Sequence, residues 1–483
     1  MKEIFYNLIG KQGEIPGDYL QDIGETKRVL ERWTIDDEFR KMDNIEEGLR
    51  MIKTPRTLLE ILPFIDKKEG TELRIKERNN EDNTYPLSVR RYRHFIKEKM
   101  AGRKDIRIGI LPENQKFKYW RNRQINRCIG ELGPIKADGL VHAPLAFELS
   151  KGCSVGCWFC AVSSQKLTKV WRYTNENAKL WKDSINILKE TIGDCIKYGV
   201  CYWATEPFDC PDYEKFIEDF VLLTGRCPQT TTAIPDREIE RTRKFLKLMD
   251  KLNGGINRFS IRSKEALFKV HTNFTAQELT YVELIPQNLE ASSQYKKAYA
   301  GKAREVKLFS NNSKLNDNVQ KEENASTIAC ISGFIINMTE KSVELITPCP
   351  ASVDWPLGYW SLDKQYFENA QELSIVLNSM IDNHMNPSLP LLNILKLRKD
   401  LTWANCAEDE SVEIVSKYLS IKFDRLIFTN KMLELISESK HTAFEIAIIL
   451  EDIYKIELSL IMLQMNEFYE KGLFDEEPLK LSK

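Results

Sequence analysis

The sequence predicts an α/β protein, in which a central α/β region lies between a helical N-terminal region and a C-terminal helical module. Three observations support this fold class. Residues 1–141 repeat apolar side chains at helical spacing, residues 142–350 alternate short apolar runs with amphipathic stretches, and helical spacing returns from Gln365. At 483 residues the chain is long enough for one large domain with smaller regions beside it.

The composition is that of a folded protein, since 42% of the residues are hydrophobic, 10% aromatic and 29% charged. The 70 Lys and Arg nearly balance the 71 Asp and Glu, so no overall field attracts nucleic acid or anionic lipid. No apolar run is long enough for a signal peptide or a membrane span. The sequence therefore predicts a cytoplasmic protein with no membrane or nucleic-acid partner, whose 11 cysteines bind metal, react or fill the core.

The N-terminal region, residues 1–141, has helical spacing at 54–65, 88–100 and 117–132. Between residues 85 and 127 it carries 13 Lys and Arg against 3 Asp and Glu, a local charge of +10. Two interpretations remain open for this basic stretch. Its charges pair with acids elsewhere in the protein, or they form a docking surface for an acidic peptide.

The central region, residues 142–350, is predicted to contain a parallel sheet built from βα units. Helices are expected at 178–198 and 236–252, a polar excursion at 310–326, and a β-hairpin from 327 to 348 with its turn at 338–340. The candidate strands of the sheet are 145–149, 200–204, 230–234, 256–261 and 281–285.

The C-terminal part is predicted to be a helical connector, residues 351–420, followed by a winged-helix-like module, residues 421–483. The module shows three helical patterns, at 428–437, 443–453 and 458–470. It contains 8 Lys and Arg against 12 Asp and Glu, a charge of −4. DNA-binding modules normally present a basic face, so peptide docking or packing is favoured over DNA binding.

The segment ELSKGCSVGCWFCAV places Cys153, Cys157 and Cys160 directly after the first predicted strand. Three thiolates this close on a tight loop can bind three irons of a [4Fe-4S] cluster and leave the fourth iron open. Gly152 and Gly156 allow the backbone to wrap around the metal. A zinc site is the alternative, but neither a second CxxC nor a paired histidine element accompanies the loop.

This spacing, with the aromatic Phe159 before the third cysteine, resembles the CxxxCxΦC signature of the radical S-adenosylmethionine (SAM) superfamily. The resemblance implies a partial (β/α)6 barrel and a cluster whose open iron chelates SAM, which is cleaved to methionine and a 5′-deoxyadenosyl radical. By the same resemblance, Thr205 and Glu206 in ATEPFD correspond to the turn that binds the methionyl ammonium. Ser260 and Arg262 would then contact ribose and carboxylate groups, and Gln287 the nucleoside.

A thiol is also suggested by the segment ELITPCPASVDWPLGYW, where Cys349 lies between Pro348 and Pro350. The prolines stiffen the turn, and a weak S–H bond can donate a hydrogen atom to a carbon radical. If one face of an L-residue loses its Cα hydrogen, Cys349 could return hydrogen from the other face and give a D-residue. Cys330 and Cys210 are rival donors, and the alternative role for each is core packing.

Together, CSVGCWFC, YWATEPFDCPDYEKF, PQTTTA and ITPCPASVDWPLGYW resemble the radical SAM peptide epimerases that mature proteusin-type natural products. That family implies L-to-D conversion in a ribosomally made precursor peptide with a leader and a core, and a reductant such as flavodoxin or ferredoxin. The basic stretch and the C-terminal module are competing sites for leader docking.

Two further hypotheses stay open from the sequence. A peptide cross-linking enzyme would begin with the same hydrogen abstraction but let the radical attack another side chain. An iron-sulfur redox-sensing regulator would use the three cysteines for sensing and the C-terminal helices for DNA. The acidic C-terminus and Glu206 count against the regulator.

Overall fold

The computed structural model describes residues 5–10, 14–42, 85–292, 299–305, 326–407 and 409–479, together with Ile61, Glu72 and Ile75. The helix expected at 54–65 and the polar excursion at 310–326 lie outside the described residues, apart from Ile61 and Ser326. The described chain is a mixed α/β protein, which confirms the predicted class. No described helix has both the length and the apolarity to cross a membrane.

The helices and the strands are each numbered in chain order. The helices are α1 (Gly17–Ile35), α2 (Asp37–Lys41), α3 (Leu87–Gly109), α4 (Gln115–Leu132), α5 (Pro134–Asp138), α6 (Asn175–Ile192), α7 (Tyr213–Thr224), α8 (Ile239–Lys251), α9 (Lys264–Asn273), α10 (Lys302–Glu305), α11 (Ala370–His384), α12 (Thr429–Glu438), α13 (Ala443–Tyr454) and α14 (Leu458–Glu470). The strands are β1 (Ala143–Glu148), β2 (Ser150–Lys151), β3 (Lys169–Val170), β4 (Thr231–Thr232), β5 (Asn257–Ile261), β6 (Val282–Pro286), β7 (Ile331–Asn337), β8 (Ser342–Pro348), β9 (Tyr359–Tyr366), β10 (Thr402–Asn405), β11 (Ser411–Val415) and β12 (Ser420–Asp424).

Helices α3 and α4 cover the two helical patterns predicted at 88–100 and 117–132. The start of α4 is fixed by Asn114, whose side chain accepts a hydrogen bond from the Phe117 amide at 3.1 Å. The helix ends at Gly133, which has a φ of +82°. Helix α3 packs against α1, and α4 packs against β7, β8 and α14.

Several cations of the basic stretch bond to acids or carbonyls of the protein itself. Buried Arg123 pairs with Glu476 at 3.0 Å, and buried Arg127 pairs with Glu131 at 2.5 Å. Buried Arg121 donates to the carbonyl of His142 at 2.8 Å. The first interpretation of this stretch, internal pairing, therefore holds for these three arginines.

The central region contains two main sheets and a two-stranded antiparallel sheet of β2 and β3. In the first, order β1-β7-β8-β9, β1 pairs with β7 in parallel and the other pairs are antiparallel. In the second, β4, β5 and β6 are parallel. Residue Val200 extends the first sheet by a parallel bridge to Ala146 on β1. The described strands do not close into a barrel.

The strand predicted at 200–204 is reduced to that bridge. The Phe147 amide donates to the Val200 carbonyl at 2.8 Å, but the Ala204 amide donates to the side chain of Glu148 at 2.9 Å. Because the Ala204 amide bonds to this carboxylate and not to a neighbouring strand, the strand pairing ends and the chain turns before Ala204. The strands predicted at 145–149, 230–234, 256–261 and 281–285 overlap β1, β4, β5 and β6.

The predicted hairpin is confirmed, since β7 and β8 are antiparallel with Asn337 opposite Ser342. Strand β9 was not predicted, and it extends the hairpin by pairing with β8. Its second half, LDKQY, is largely polar and partly exposed, so it lacks the apolar alternation that predicts a strand.

The helical connector predicted at 351–420 is wrong in its content. This interval holds β9, α11, β10 and β11, and β12 completes an antiparallel sheet in the order β10-β11-β12. The segment SVEIV of β11 has the alternation and β-branched residues of a strand. The three helical patterns of the C-terminal module match α12, α13 and α14 to within one or two residues.

Candidate active site

A cleft with a volume of about 1950 Å³ lies among the parallel strands and the loops that follow them. The carboxyl ends of parallel strands are where α/β proteins bind ligands. Two of the predicted site residues, Arg262 and Cys349, lie outside the cleft lining. The predicted site residues that line the cleft are Cys153, Cys157, Phe159, Cys160, Thr205, Glu206, Ser260 and Gln287.

The cysteine loop follows β1 through the short strand β2. Gly152 has a φ of +82°, and a Cβ there would lie 2.4 Å from the Lys166 carbonyl oxygen, so only glycine fits. The Cys153 amide donates to the Gln165 carbonyl at 2.9 Å, and the Leu167 amide donates to the Cys153 carbonyl at 3.2 Å. The loop backbone is thus held by its own returning chain.

Backbone amides also point at the sulfur atoms. The Val155 amide lies 3.4 Å from Sγ of Cys153, and the Ser164 amide lies 3.3 Å from Sγ of Cys160. Burial, and then the neighbouring Cys153 and Cys160, raise the pKa of Cys157 to about 12. As thiolates, the three sulfur atoms would repel one another, and a cationic iron core would neutralise their charge. These residues therefore fit an iron-sulfur cluster.

Among the residues that the structure describes, no three His, Cys, Asp or Glu side chains converge on a single metal ion. A cubane cluster makes a different geometric demand, because each of its three thiolates binds a different iron. The sulfur atoms of such ligands therefore surround the cluster and need not meet at one point.

Two serines attach the cysteine loop to the turn that carries Glu206. The Ser154 amide donates to Oδ2 of Asp209 at 2.7 Å, and the Ser164 hydroxyl donates to the Ala204 carbonyl at 2.5 Å. No pattern in the sequence identified Ser154, Ser164 or Asp209. Asp209 follows Glu206 by three residues, but no sequence pattern shows which amide its carboxylate would meet.

Glu206 lies in the cleft wall with only 3% of its surface exposed. Its carboxylate accepts hydrogen bonds from the amides of Phe208 at 3.2 Å and Ala233 at 2.8 Å. Burial raises the pKa of Glu206 to about 7, although both hydrogen bonds act to lower it. A buried carboxyl with this pKa is well suited to bind a cation, because a positive ligand favours its charged form.

The remaining predicted contacts separate into two groups. Ser260 on β5 and Gln287 after β6 line the cleft, and the Gln287 amide donates to the Ile261 carbonyl at 2.9 Å. Arg262 follows the end of β5 and lies 3.8 Å from Asp236, outside the cleft lining. The charge of Arg262 acts on Cys157, so this side chain is near the cysteine loop but not in the cleft wall.

Cys349, the predicted hydrogen donor, does not face the cleft. It is 2% exposed, and the carbonyl of Pro348 beside it accepts hydrogen bonds from Arg127 at 2.6 Å and from the Cys128 thiol at 3.3 Å. Both of these donors belong to α4, so the turn after β8 packs against that helix. The stiff proline turn therefore holds the thiol in the protein interior, outside the lining of the cleft.

The two rival thiols differ in position. The Cys210 thiol is buried in the main core and donates to the Trp171 carbonyl at 3.3 Å. Cys330 lines the cleft just before β7, where its carbonyl accepts the Ala143 amide at 2.7 Å. Burial raises the pKa of Cys330, against the opposing charge of Arg258, so the S–H bond is retained at neutral pH.

No family model matches the chain. The uncharacterized protein y4wI of Sinorhizobium fredii (strain NBRC 101917 / NGR234) is 36% identical to it over 401 residues, which cover 79% of this chain and 74% of that protein. The chain belongs to the y4wI family. A solved structure, BtrN in complex with AdoMet and 2-DOIA, is 14% identical and covers 50% of this chain and 82% of its own, with a TM-score of 0.29. A likeness of this size defines neither the fold nor the chemistry of this y4wI family member.

We expect Cys157→Ala to abolish cluster binding after anaerobic reconstitution, because one iron would lose its protein ligand. Cys195→Ala is the matched control, since its thiol donates to the Ile192 carbonyl at 3.3 Å within the core. Iron and sulfide content per chain and visible absorbance measure the effect. Unchanged iron and sulfide in Cys157→Ala would contradict the assignment of the loop.

Proposed function

We propose that this chain is a radical SAM enzyme that converts L-residues to D-residues in a ribosomally made precursor peptide. One observation carries the proposal: the three cysteines, the Glu206 carboxylate and the Cys330 thiol line the same cleft. The parallel strands β1, β4, β5 and β6, with helices between them, are compatible with the partial (β/α)6 barrel that this chemistry uses.

Cys153, Cys157 and Cys160 would hold a [4Fe-4S] cluster. With SAM bound and one electron from an external reductant, the cluster would supply a 5′-deoxyadenosyl radical, with methionine as the other product. Glu206 would accept the methionyl ammonium, while Ser260 and Gln287 would contact the nucleoside. Phe159 and Thr205 line the cleft beside these groups and would limit the access of water.

Cys330 replaces Cys349 as the proposed hydrogen donor. After a Cα hydrogen has been removed from the substrate, the S–H bond of Cys330 would break and a new Cα–H bond would form on the opposite face. The resulting thiyl radical needs one electron and one proton to return to the thiol. A one-electron reductant such as flavodoxin or ferredoxin would supply the electron, and solvent the proton.

The cleft-facing thiol favours epimerisation over cross-linking. A cross-linking enzyme lets the carbon radical attack a side chain of the substrate and has no need of a protein hydrogen donor. Here Cys330 is near Tyr202, whose hydroxyl bonds to Thr231 at 2.7 Å, and near Arg258. Tyr202 and Arg258 therefore lie near the Cys330 thiol inside the cleft.

We expect Cys330→Ala to cleave SAM but to lose the epimerised product, since the carbon radical would have no donor. Cys349→Ala is the matched control and should retain the product, because its thiol lies outside the cleft. Both variants are reconstituted and incubated anaerobically with the precursor peptide in deuterium oxide. Mass spectrometry then measures the gain of about one mass unit for each converted residue, since a thiol exchanges with solvent.

The opposite pattern, with product lost in Cys349→Ala and retained in Cys330→Ala, would overturn the choice of donor. A loss of two hydrogens from the peptide would indicate cross-linking instead. Deuterium at Cα in wild type together with normal 5′-deoxyadenosine in Cys330→Ala would support both the reaction and its donor.

We expect SAM affinity to increase as the pH rises through about 7, because the pKa of Glu206 is raised to about 7 by burial and only its carboxylate attracts the ammonium. Below that pH the affinity should fall by up to about tenfold for each pH unit. Glu206→Gln should bind SAM weakly and show a flat profile. Calorimetric titration between pH 6 and 8 measures this, and equal slopes in both proteins would exclude Glu206 as the ammonium ligand.

A further inference from the structure

Four charged residues form a cluster in the cleft, which we call the cleft floor: Lys99, Arg103, Arg258 and Glu283. Lys99 and Arg103 lie one turn apart on α3, and Arg258 and Glu283 lie on the neighbouring strands β5 and β6. Arg258 precedes Ser260 by two residues, which is about 7 Å along an extended strand. The cleft floor therefore lies deeper than Ser260, toward the amino ends of the parallel strands.

Three cations of the cleft floor surround one carboxylate. Glu283 contacts Lys99 Nζ at 2.6 Å, Arg258 Nε at 3.0 Å and Arg103 Nη2 at 3.4 Å. Although burial acts to raise it, Lys99 and Arg258 lower the pKa of Glu283 to about 2, so the carboxylate stays charged. The four side chains together keep a charge of +2, and all four are partly buried in the cleft wall.

Other acids do not cancel this excess. Across the described lining of the cleft, six Lys and Arg side chains face four Asp and Glu. Glu206 lies beside the cysteine loop, and Glu98 accepts the backbone amides of Leu8 and Ile9 at 2.9 and 2.6 Å. Asp105 is the remaining acid in the lining, and its side chain is exposed.

Glu283 uses only part of the N–H donors of the two arginines in the cleft floor. Within the described part of the chain, Arg103 and Arg258 each direct one nitrogen at Glu283, and a guanidinium carries five N–H donors. Planar guanidinium groups match carboxylates, which accept two parallel hydrogen bonds. A second carboxylate could therefore bind beside Glu283 and reduce the uncompensated charge.

We propose that the cleft floor binds a carboxylate of the peptide substrate, supplied by an acidic side chain. This inference rests on the proposed function, because it takes the ligand to be a peptide. The charge of Arg258 also acts on Cys330, so an acidic residue bound at the cleft floor would lie close to the proposed hydrogen donor. The cleft floor would then select acidic residues near the residue that is converted.

The test measures binding of short alternating Glu–Ala peptides to the reconstituted full chain, by calorimetry at low and high salt. The peptides are acetylated and amidated, so that side chains are their only carboxylates. Binding that weakens with salt, and that falls at least about tenfold when Gln replaces Glu, is the expected result. A Gln–Ala peptide with a free C-terminus forms the third arm, and its binding alone would assign the site to a terminal carboxylate and contradict the inference.

Arg103→Gln should weaken binding of the Glu–Ala peptide by about tenfold. Arg107→Gln is the matched control on the same helix, because Arg107 pairs with Asp138 at 2.7 Å and lies outside the cleft lining. Glu283→Gln should tighten binding, since it adds one net positive charge to the cleft floor. Lys99→Gln replaces Arg103→Gln if the latter does not fold, as judged by circular dichroism.

Equal effects of Arg103→Gln and Arg107→Gln, or equal binding of the Glu and Gln peptides, would overturn the inference. These binding measurements need no turnover, so they test the inference separately from the proposed function. If the natural precursor is epimerised but Glu–Ala peptides do not bind, only the inference fails. If Glu–Ala peptides bind with the expected variant pattern but no precursor residue changes configuration, the inference stands and the proposed reaction fails.

Discussion

The buried carboxylate of Glu148 holds together the elements that form the cleft. It ends β1 and accepts hydrogen bonds from the Ala204 amide at 2.9 Å and the Asn337 side-chain amide at 2.8 Å. These contacts join the end of β1 to the end of β7 and to the turn of Glu206. A buried acid is costly unless its oxygens are bonded, and here both oxygens have partners. The cysteine loop leaves β1 directly after this point, so its position depends on the same carboxylate.

Local patterns in the sequence predicted α3, α4, α6, α8 and the three C-terminal helices, and strands β1 and β4 to β8, because apolar spacing acts over a few residues. Helices α1, α7 and α9 and strands β9 to β12 were not predicted. The three cysteines were identified in the same way, since their spacing and the preceding strand are both local. The position of Cys349 could not be predicted, because its turn packs against Arg127 and Cys128 on α4, more than 200 residues earlier. Cys330 carried a weaker local signal, and only the parallel pairing of β1 with β7 brings it to the cleft.

The basic stretch shows the same limit for charge. Its +10 balance is a local fact of the sequence, but the fate of each charge depends on acids far along the chain. Arg123 reaches Glu476, and Lys99 reaches Glu283. The sequence could not show that the charges cancel in most of these ion pairs, whereas the group around Glu283 keeps a net positive charge. The distinction comes from tertiary structure, which places two helix cations and one strand cation on a single carboxylate.

The cysteine loop has a further consequence for how the protein matures. Gly152, the pairing of Cys153 with residues 165–167 and the serine contacts to Ala204 and Asp209 define its backbone through protein hydrogen bonds. The conformational entropy of ordering these three cysteines is therefore offset during folding of the chain itself. Under the proposed function, iron and sulfide would be inserted into an already folded protein, as a late step that exchanges ligands at three side chains without refolding the domain.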